Sequence, residues 1–169
     1  MRIRRFRKAG RKPSGNDVNK KVKNARKVIF DGIEFNSDLE MRCYILLKSS
    51  GLDFSYECER VILMSGWKET DIVIWKLGKD GTLKKGPVGA VRDWTYTPDF
   101  VILSKDGKKK VYVEMKGNPT DLTPYKQKMF IRYLSILGKA SDKKFGYALL
   151  RNIKQLAMLI ENLKKEEGF

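Results

Sequence analysis

The chain contains no histidine among its 169 residues. That absence excludes zinc sites built on imidazole, Ser-His-Asp catalysis and the nuclease chemistries that use histidine as their base. Cysteine is nearly as scarce. The two present, Cys43 and Cys58, sit inside apolar patterns, which predicts reduced core residues rather than a disulfide. No apolar run approaches the roughly 18 residues of a spanning helix, so no membrane partner is expected. The charged N-terminus is not followed by the apolar stretch of a secretory signal, which points to the cytoplasm. Acidic charge is also short, with 20 Asp and Glu against 36 Lys and Arg and a net charge of +16. An excess of that size favours a polyanionic partner, nucleic acid first. Chemistry in this chain must run on carboxylates, lysine and a hard divalent cation.

The length fits one domain with an arm. Residues 1–27 form the arm: Arg2, Arg4, Arg5, Arg7, Lys8, Arg11 and Lys12 lead a run of cations opposed by a single acid, Asp17. Such a segment cannot bury a core, and its arginine density suits contact with DNA better than a merely solubilising tail. Residues 28–169 form the single folded domain. The pattern predicts a hairpin over Val28–Phe35 turning at Asp31-Gly32, then a helix from Asp38 to Ser50 capped at Asn36-Ser37 and ended by Gly51. Strands follow at 54–58, 61–64 and 71–75, and residues 76–89 form a loop or an extended hairpin. A central hairpin spans 95–116. A turn at Asn118-Pro119-Thr120-Asp121 starts a helix stopped by Gly138. Residues 145–150 read as a buried strand and 153–166 as a final helix. This order defines an α/β fold, a mixed sheet flanked by helices.

Thr97-Pro98-Asp99-Phe100 heads one strand of the central hairpin, and Val113-Glu114-Met115-Lys116-Gly117 ends the next. If Asp106-Gly107 is a two-residue loop, Lys105 pairs with Lys108, and the same register sets Asp99 opposite Glu114. The period of two then puts Lys116 on the face of Glu114. Like charges directly opposed in a sheet are destabilising, and a bound cation removes the penalty. Phe100, Ile102, Val111, Val113 and Met115 share one face; Asp99, Val101, Leu103, Tyr112, Glu114 and Lys116 share the other. Both faces are apolar enough to set the pair inside the sheet.

Each candidate has a plain structural alternative. Asp99 could simply start a strand after proline, and Glu114 with Lys116 could be a structural ion pair. Glu40 closes the S-x-x-E pattern Ser37-Asp38-Leu39-Glu40, the signature of a capping box. It also shares a helical stripe with Cys43, Tyr44 and Leu47, which turns it toward the core. Lys126, Lys128 and Arg132 could be a solvated helical face or could contact phosphates.

With Glu40, Pro98-Asp99 and Glu114-Met115-Lys116 together, the chain resembles the PD-(D/E)XK, or restriction-endonuclease-like, nuclease superfamily over residues 36–150. Phe35-Asn36-Ser37-Asp38-Leu39-Glu40, Tyr96-Thr97-Pro98-Asp99-Phe100 and Glu114-Met115-Lys116-Gly117 look most like small phage endonucleases related to Holliday-junction resolvases. The end-cleaving subunit of some transposons has a similar pattern. The resemblance implies an αβββαβ core and a catalytic set of Glu40, Asp99, Glu114 and Lys116. It further implies Mg²⁺, with Mn²⁺ able to substitute, held by Asp99, Glu114, the Met115 carbonyl and Glu40, and hydrolysis of DNA phosphodiesters. DNA, branched in preference to linear, is the expected partner, bound through the arm and Lys126, Lys128 and Arg132. The expected assembly is a homodimer, with 28–35 and the insertion at 65–92 as its surfaces. A DNA-binding module without turnover is the alternative from another class.

Overall fold

Asp31 and Gly32 take φ of 55° and 75°, the left-handed pair that a tight hairpin needs. They join β1 (Val28–Phe30) to β2 (Ile33–Phe35) as the sequence predicts. The computed structural model describes residues 27–117 and 122–169. The arm residues Arg2 to Lys12 and the predicted turn at Asn118–Asp121 lie outside them.

Helix α1 (Asp38–Ser50) begins at Ser37, whose hydroxyl accepts from the Glu40 amide, and ends at Gly51 in the left-handed region. Strand β3 (Asp53–Tyr56) follows and pairs antiparallel with β8 (Phe100–Leu103), which pairs antiparallel with β9 (Lys109–Met115). Helix α2 (Thr123–Ala140) then crosses the sheet to β10 (Lys144–Leu150), which lies parallel to β9, and α3 (Ile153–Lys165) closes the fold. The four-stranded sheet has the order β10-β9-β8-β3. One face packs on α1 and α3 through Phe100, Ile102, Val113, Met115, Cys43, Leu47, Leu156 and Ile160. The other packs on α2 through Val101, Tyr112, Phe130 and Leu134. The hairpin faces are those that the alternation predicts, and both are buried.

Inserted between β3 and β8 are β4 (Val61–Met64), β5 (Trp67–Leu77), β6 (Leu83–Val91) and β7 (Trp94–Tyr96). β4 pairs with β7 and β5 with β6, so residues 61–77 and 83–96 run as one two-stranded ribbon. Its register slips between Ile62 and Met64 and again between Glu69 and Val73. Gly66 marks the junction: a Cβ there would sit 2.4 Å from the Val91 carbonyl oxygen. Only glycine lets the two backbones approach that closely.

Four expectations need correction. The hairpin loop is not two residues: Ser104 pairs with Lys109, and Lys105–Lys108 form the turn, with Gly107 at φ 69°. One residue was added on each side of the turn, so the register is unchanged and Phe100 still faces Val113. Helix α2 runs through Gly138 and ends at Ala140. A single glycine costs a helix only roughly 1 kcal/mol, too little to end it where the flanking residues continue the helical pattern. Strand β10 is half-buried because it is the outermost strand. Cys58 is exposed beyond the end of β3, while Cys43 is buried; neither is in a disulfide. No helix among the described residues is long and apolar enough to cross a membrane.

Candidate active site

The antiparallel pairing of β8 and β9 brings the head of one strand to the tail of the other. Asp99 precedes Phe100 directly, Glu114 is the penultimate residue of β9, and Lys116 follows its end, so all three gather at one end of the sheet. They line a cleft of about 460 Å³ together with Glu40, Tyr96, Tyr147, Lys126 and Gln127.

Each carboxylate is held by a donor. The Asp99 Oδ2 accepts from the Met115 amide at 2.6 Å. Glu114 accepts from the Tyr96 hydroxyl at 2.9 Å through Oε2, and its Oε1 lies 3.7 Å from the Lys116 ammonium. Glu40 is 9% exposed. Its Oε2 accepts from the Asn36 amide and, at 2.6 Å, from the Tyr56 hydroxyl, while Oε1 accepts from Ser37 at 2.8 Å. Both readings of Glu40 therefore hold at once: it closes the cap and it faces the cleft. A carboxylate oxygen carries two lone pairs, so Oε1, with one donor, can take a further partner.

The sequence reading missed Glu57. It stands just past β3 at φ 42°, donates its amide to the Asp99 carbonyl at 2.9 Å and accepts from the Asn36 side chain at 2.8 Å. Oxygens of Glu40, Glu57 and Asp99 lie within 4.8 Å of one another, a spacing that suits a cation. Glu57 is the exposed member, Glu40 is buried and Asp99 is half-buried. No local pattern marks Glu57, because only the pairing of β3 with β8 delivers it. Tyr96 stands inside the Tyr96-Thr97-Pro98-Asp99 motif, and its role as donor to Glu114 depends equally on the fold.

The electrostatics are those of clustered, buried carboxylates. Burial raises the Asp99 pKa well above the usual carboxylate range, and Glu114 pushes it further, against the Met115 amide and Lys116. Burial raises Glu114 too, opposed by Tyr96 and Lys116. Glu57 is raised by burial and by Glu40. The phenols of Tyr56 and Tyr96 are pushed up by burial and by the carboxylates they serve, which keeps them protonated as donors. Burial, with Asp99 and Glu40 nearby, lifts the Cys43 thiol to about 12, so it stays neutral beneath the site.

The remaining candidates divide. Lys126 lines the cleft, but Lys128 and Arg132 are exposed and outside its lining. At 3.6 residues per turn they point about 200° and 240° around α2 from Lys126, so the helix cannot aim all three at one ligand. Met115 gives its amide to Asp99 and its side chain to the core. The residues Arg2, Arg4, Arg5, Arg7, Lys8, Arg11 and Lys12 lie outside the described residues.

Fold and site together define a mixed α/β protein with a histidine-free cleft lined by three carboxylates and two ammoniums, with Glu57 beside Glu40 and Asp99. The chain belongs to the family described as Protein of unknown function (DUF1064), whose model matches residues 20–148. That span holds every carboxylate of the cleft and Lys116, and excludes α3 and the arginines from Arg2 to Arg11. No curated protein and no solved structure matches the chain.

Proposed function

We propose that the chain is a metal-dependent DNA endonuclease with a PD-(D/E)XK, restriction-endonuclease-like core. The observation that carries this reading is the convergence of Glu40, Asp99 and Glu114 with Lys116 in one cleft, Glu57 standing beside Glu40 and Asp99, where burial and mutual repulsion hold Asp99 well above its ordinary pKa. A purely structural cluster gains nothing from that arrangement; a cation site does. The order α1, β3, β8, β9, α2, β10, with the ribbon set between β3 and β8, fits the αβββαβ plan of that superfamily.

The donor set is all oxygen and suits Mg²⁺ or Mn²⁺. Asp99, Glu114 and Glu40 would hold the ion, with Glu57 or the Met115 carbonyl completing the set. Bound there, it supplies Lewis acidity toward a phosphodiester and makes water a better nucleophile at neutral pH. The protein's own groups do the positioning. The Met115 amide orients Asp99, Tyr96 orients Glu114, and Tyr56 with the helix cap orients Glu40. The Lys116 ammonium, next to Glu114, orients the attacking water and offsets charge developing on the phosphate. Lys126 and Gln127, on the cleft wall, bind neighbouring phosphate oxygens.

The preferred substrate is branched DNA, cut by a homodimer. The insertion between β3 and β8 is a ribbon rather than a globular reading domain, and two cuts on a pseudo-symmetric junction call for two sites. The test is cleavage of matched junction and linear DNAs by the whole chain. Mg²⁺ or Mn²⁺ should support cutting, a chelator should stop it, and the junction should be cut faster. Full activity in excess chelator would sink the metal assignment, and equal rates on the two DNAs would sink the substrate preference.

A further inference from the structure

The ribbon of residues 61–77 and 83–96 packs against the body only at its root. Beyond Trp67 it is a bare two-stranded sheet whose apolar residues stand in solvent: Trp75 is 60% exposed, Leu77 74% and Leu83 63%. The register puts Val73, Trp75, Leu77, Leu83, Lys85 and Pro87 on one face. An isolated two-stranded hairpin is marginal in water, and an exposed apolar face of this extent marks an interaction site. Charge decides the occupant. From residue 72 to residue 87 the ribbon carries Lys76, Lys79, Lys84 and Lys85 against one acid, Asp80. A second copy would set like-charged tips against each other, whereas a polyanion is attracted to them. The Lys85 ammonium lies 5.4 Å from the Trp75 ring centre, so cation and aromatic are presented together, the combination that meets both phosphate and base.

We propose that the ribbon is a duplex-DNA-binding element that docks its Trp75 face in a groove of the substrate beside the cleft. A two-stranded ribbon fits the major groove, about 12 Å wide, and the 11 residues of β5 give a reach of roughly 36 Å. Its root is Tyr96, which donates to Glu114, and Thr95, Tyr96 and Thr97 line the cleft. DNA held on the ribbon is thereby directed to the carboxylates. This role rests on the nuclease reading for its purpose but not for its measurement.

All three tryptophans of the chain, Trp67, Trp75 and Trp94, lie on the ribbon, so intrinsic tryptophan emission reports on this element alone. The whole chain is titrated with a short fluorescein-labelled duplex in chelator, across a range of salt. DNA should change the tryptophan emission, and Trp75→Ala should remove most of that change. The double variant Lys79→Gln/Lys85→Gln should loosen binding about tenfold and reduce the salt slope by roughly 1.8, about 0.9 for each lost phosphate contact. Both lysines are exposed, and circular dichroism checks that the variants fold. Unchanged affinity, slope and emission in both variants would overturn the proposal, as would sedimentation showing that the ribbon holds a dimer which the variants dissociate. If the wild type cuts no DNA in Mg²⁺ while the ribbon variants still weaken binding, the nuclease reading falls and the ribbon stands. If it cuts and the variants bind as the wild type does, the ribbon role alone falls.

Discussion

The four-stranded sheet and the two-stranded ribbon are made of similar material and behave as opposites. Strands β8 and β9 bury Phe100, Val101, Ile102, Tyr112 and Val113 almost completely between helices on both faces. Strands β5 and β6 have no helix on either face and leave Trp75, Leu77 and Leu83 exposed. The buried sheet spends its apolar surface on stability, and that stability holds carboxylates where water would otherwise keep them apart. Beyond its root at Val61 and Tyr96 the ribbon contributes little to the core and leaves its apolar surface exposed. Rigidity at the site and availability at the ribbon are thus divided between two regions that meet at Tyr96.

The comparison is tested most sharply at the end of the buried sheet. Asp99→Ala, Glu114→Ala and Lys116→Ala should each reduce DNA cleavage at least about a hundredfold, while affinity for DNA, measured in chelator, changes little. Substantial cleavage by any of the three would remove that residue from the catalytic set. Next in size is stability. Phe130→Ala, which empties the α2 side of the core, should destabilise by about 3–5 kcal/mol. Trp75→Ala on the ribbon should stay within about 0.5 kcal/mol in the same denaturant titration. Similar losses at the two positions would mean that the ribbon is part of the fold's core.

Glu40→Gln separates the two duties of that residue. The amide oxygen can still accept from Tyr56 and Asn36 while its NH2 donates to the Ser37 hydroxyl, so the melting temperature should hold, yet cleavage should fall by about tenfold or more with the loss of a charged ligand. Wild-type cleavage rates would assign Glu40 to the cap alone. The smallest effect expected is on pH dependence. Asp99 has a folded pKa raised by burial and by Glu114. A carboxyl raised in this way binds a proton on folding, so the metal-free protein loses stability as pH rises from about 4 through the raised value. Asp99→Asn should therefore raise the melting temperature of the metal-free protein by a few degrees at pH 8 and by less at pH 5. A lower melting temperature at pH 8 would show that Asp99 is stabilised as an anion in the fold.

Local signals carried far in this chain. Asp31-Gly32, Ser37 with Glu40, and Gly51 placed the first hairpin and the bounds of α1, because turns and caps are decided by a few adjacent residues. Alternation in 100–115 assigned every side chain of the central hairpin to its correct face, and the Asp106-Gly107 pair set a register that survived a wider loop. Gly138 misled, since one glycine costs a helix too little to stop it. Cys58 misled too, because periodicity continued past the last paired residue of β3.

By itself, then, the order of residues determined the helices and strands of the body, the two faces of the central hairpin and the joining of Asp99 to Glu114 and Lys116, all consequences of short-range geometry, while the pairing of residues 94–96 with β4 rather than within the central hairpin was not legible. Only the tertiary structure decided that Glu57 enters the acidic group, that Tyr56 and Tyr96 serve its carboxylates, and that Lys126 faces the cleft while Lys128 and Arg132 do not. It also decided that the apolar strands of the ribbon stay uncovered. Those outcomes depend on which strand lies beside which and on which helix covers what. Such pairings join residues far apart in the chain, and no local pattern of residues encodes them.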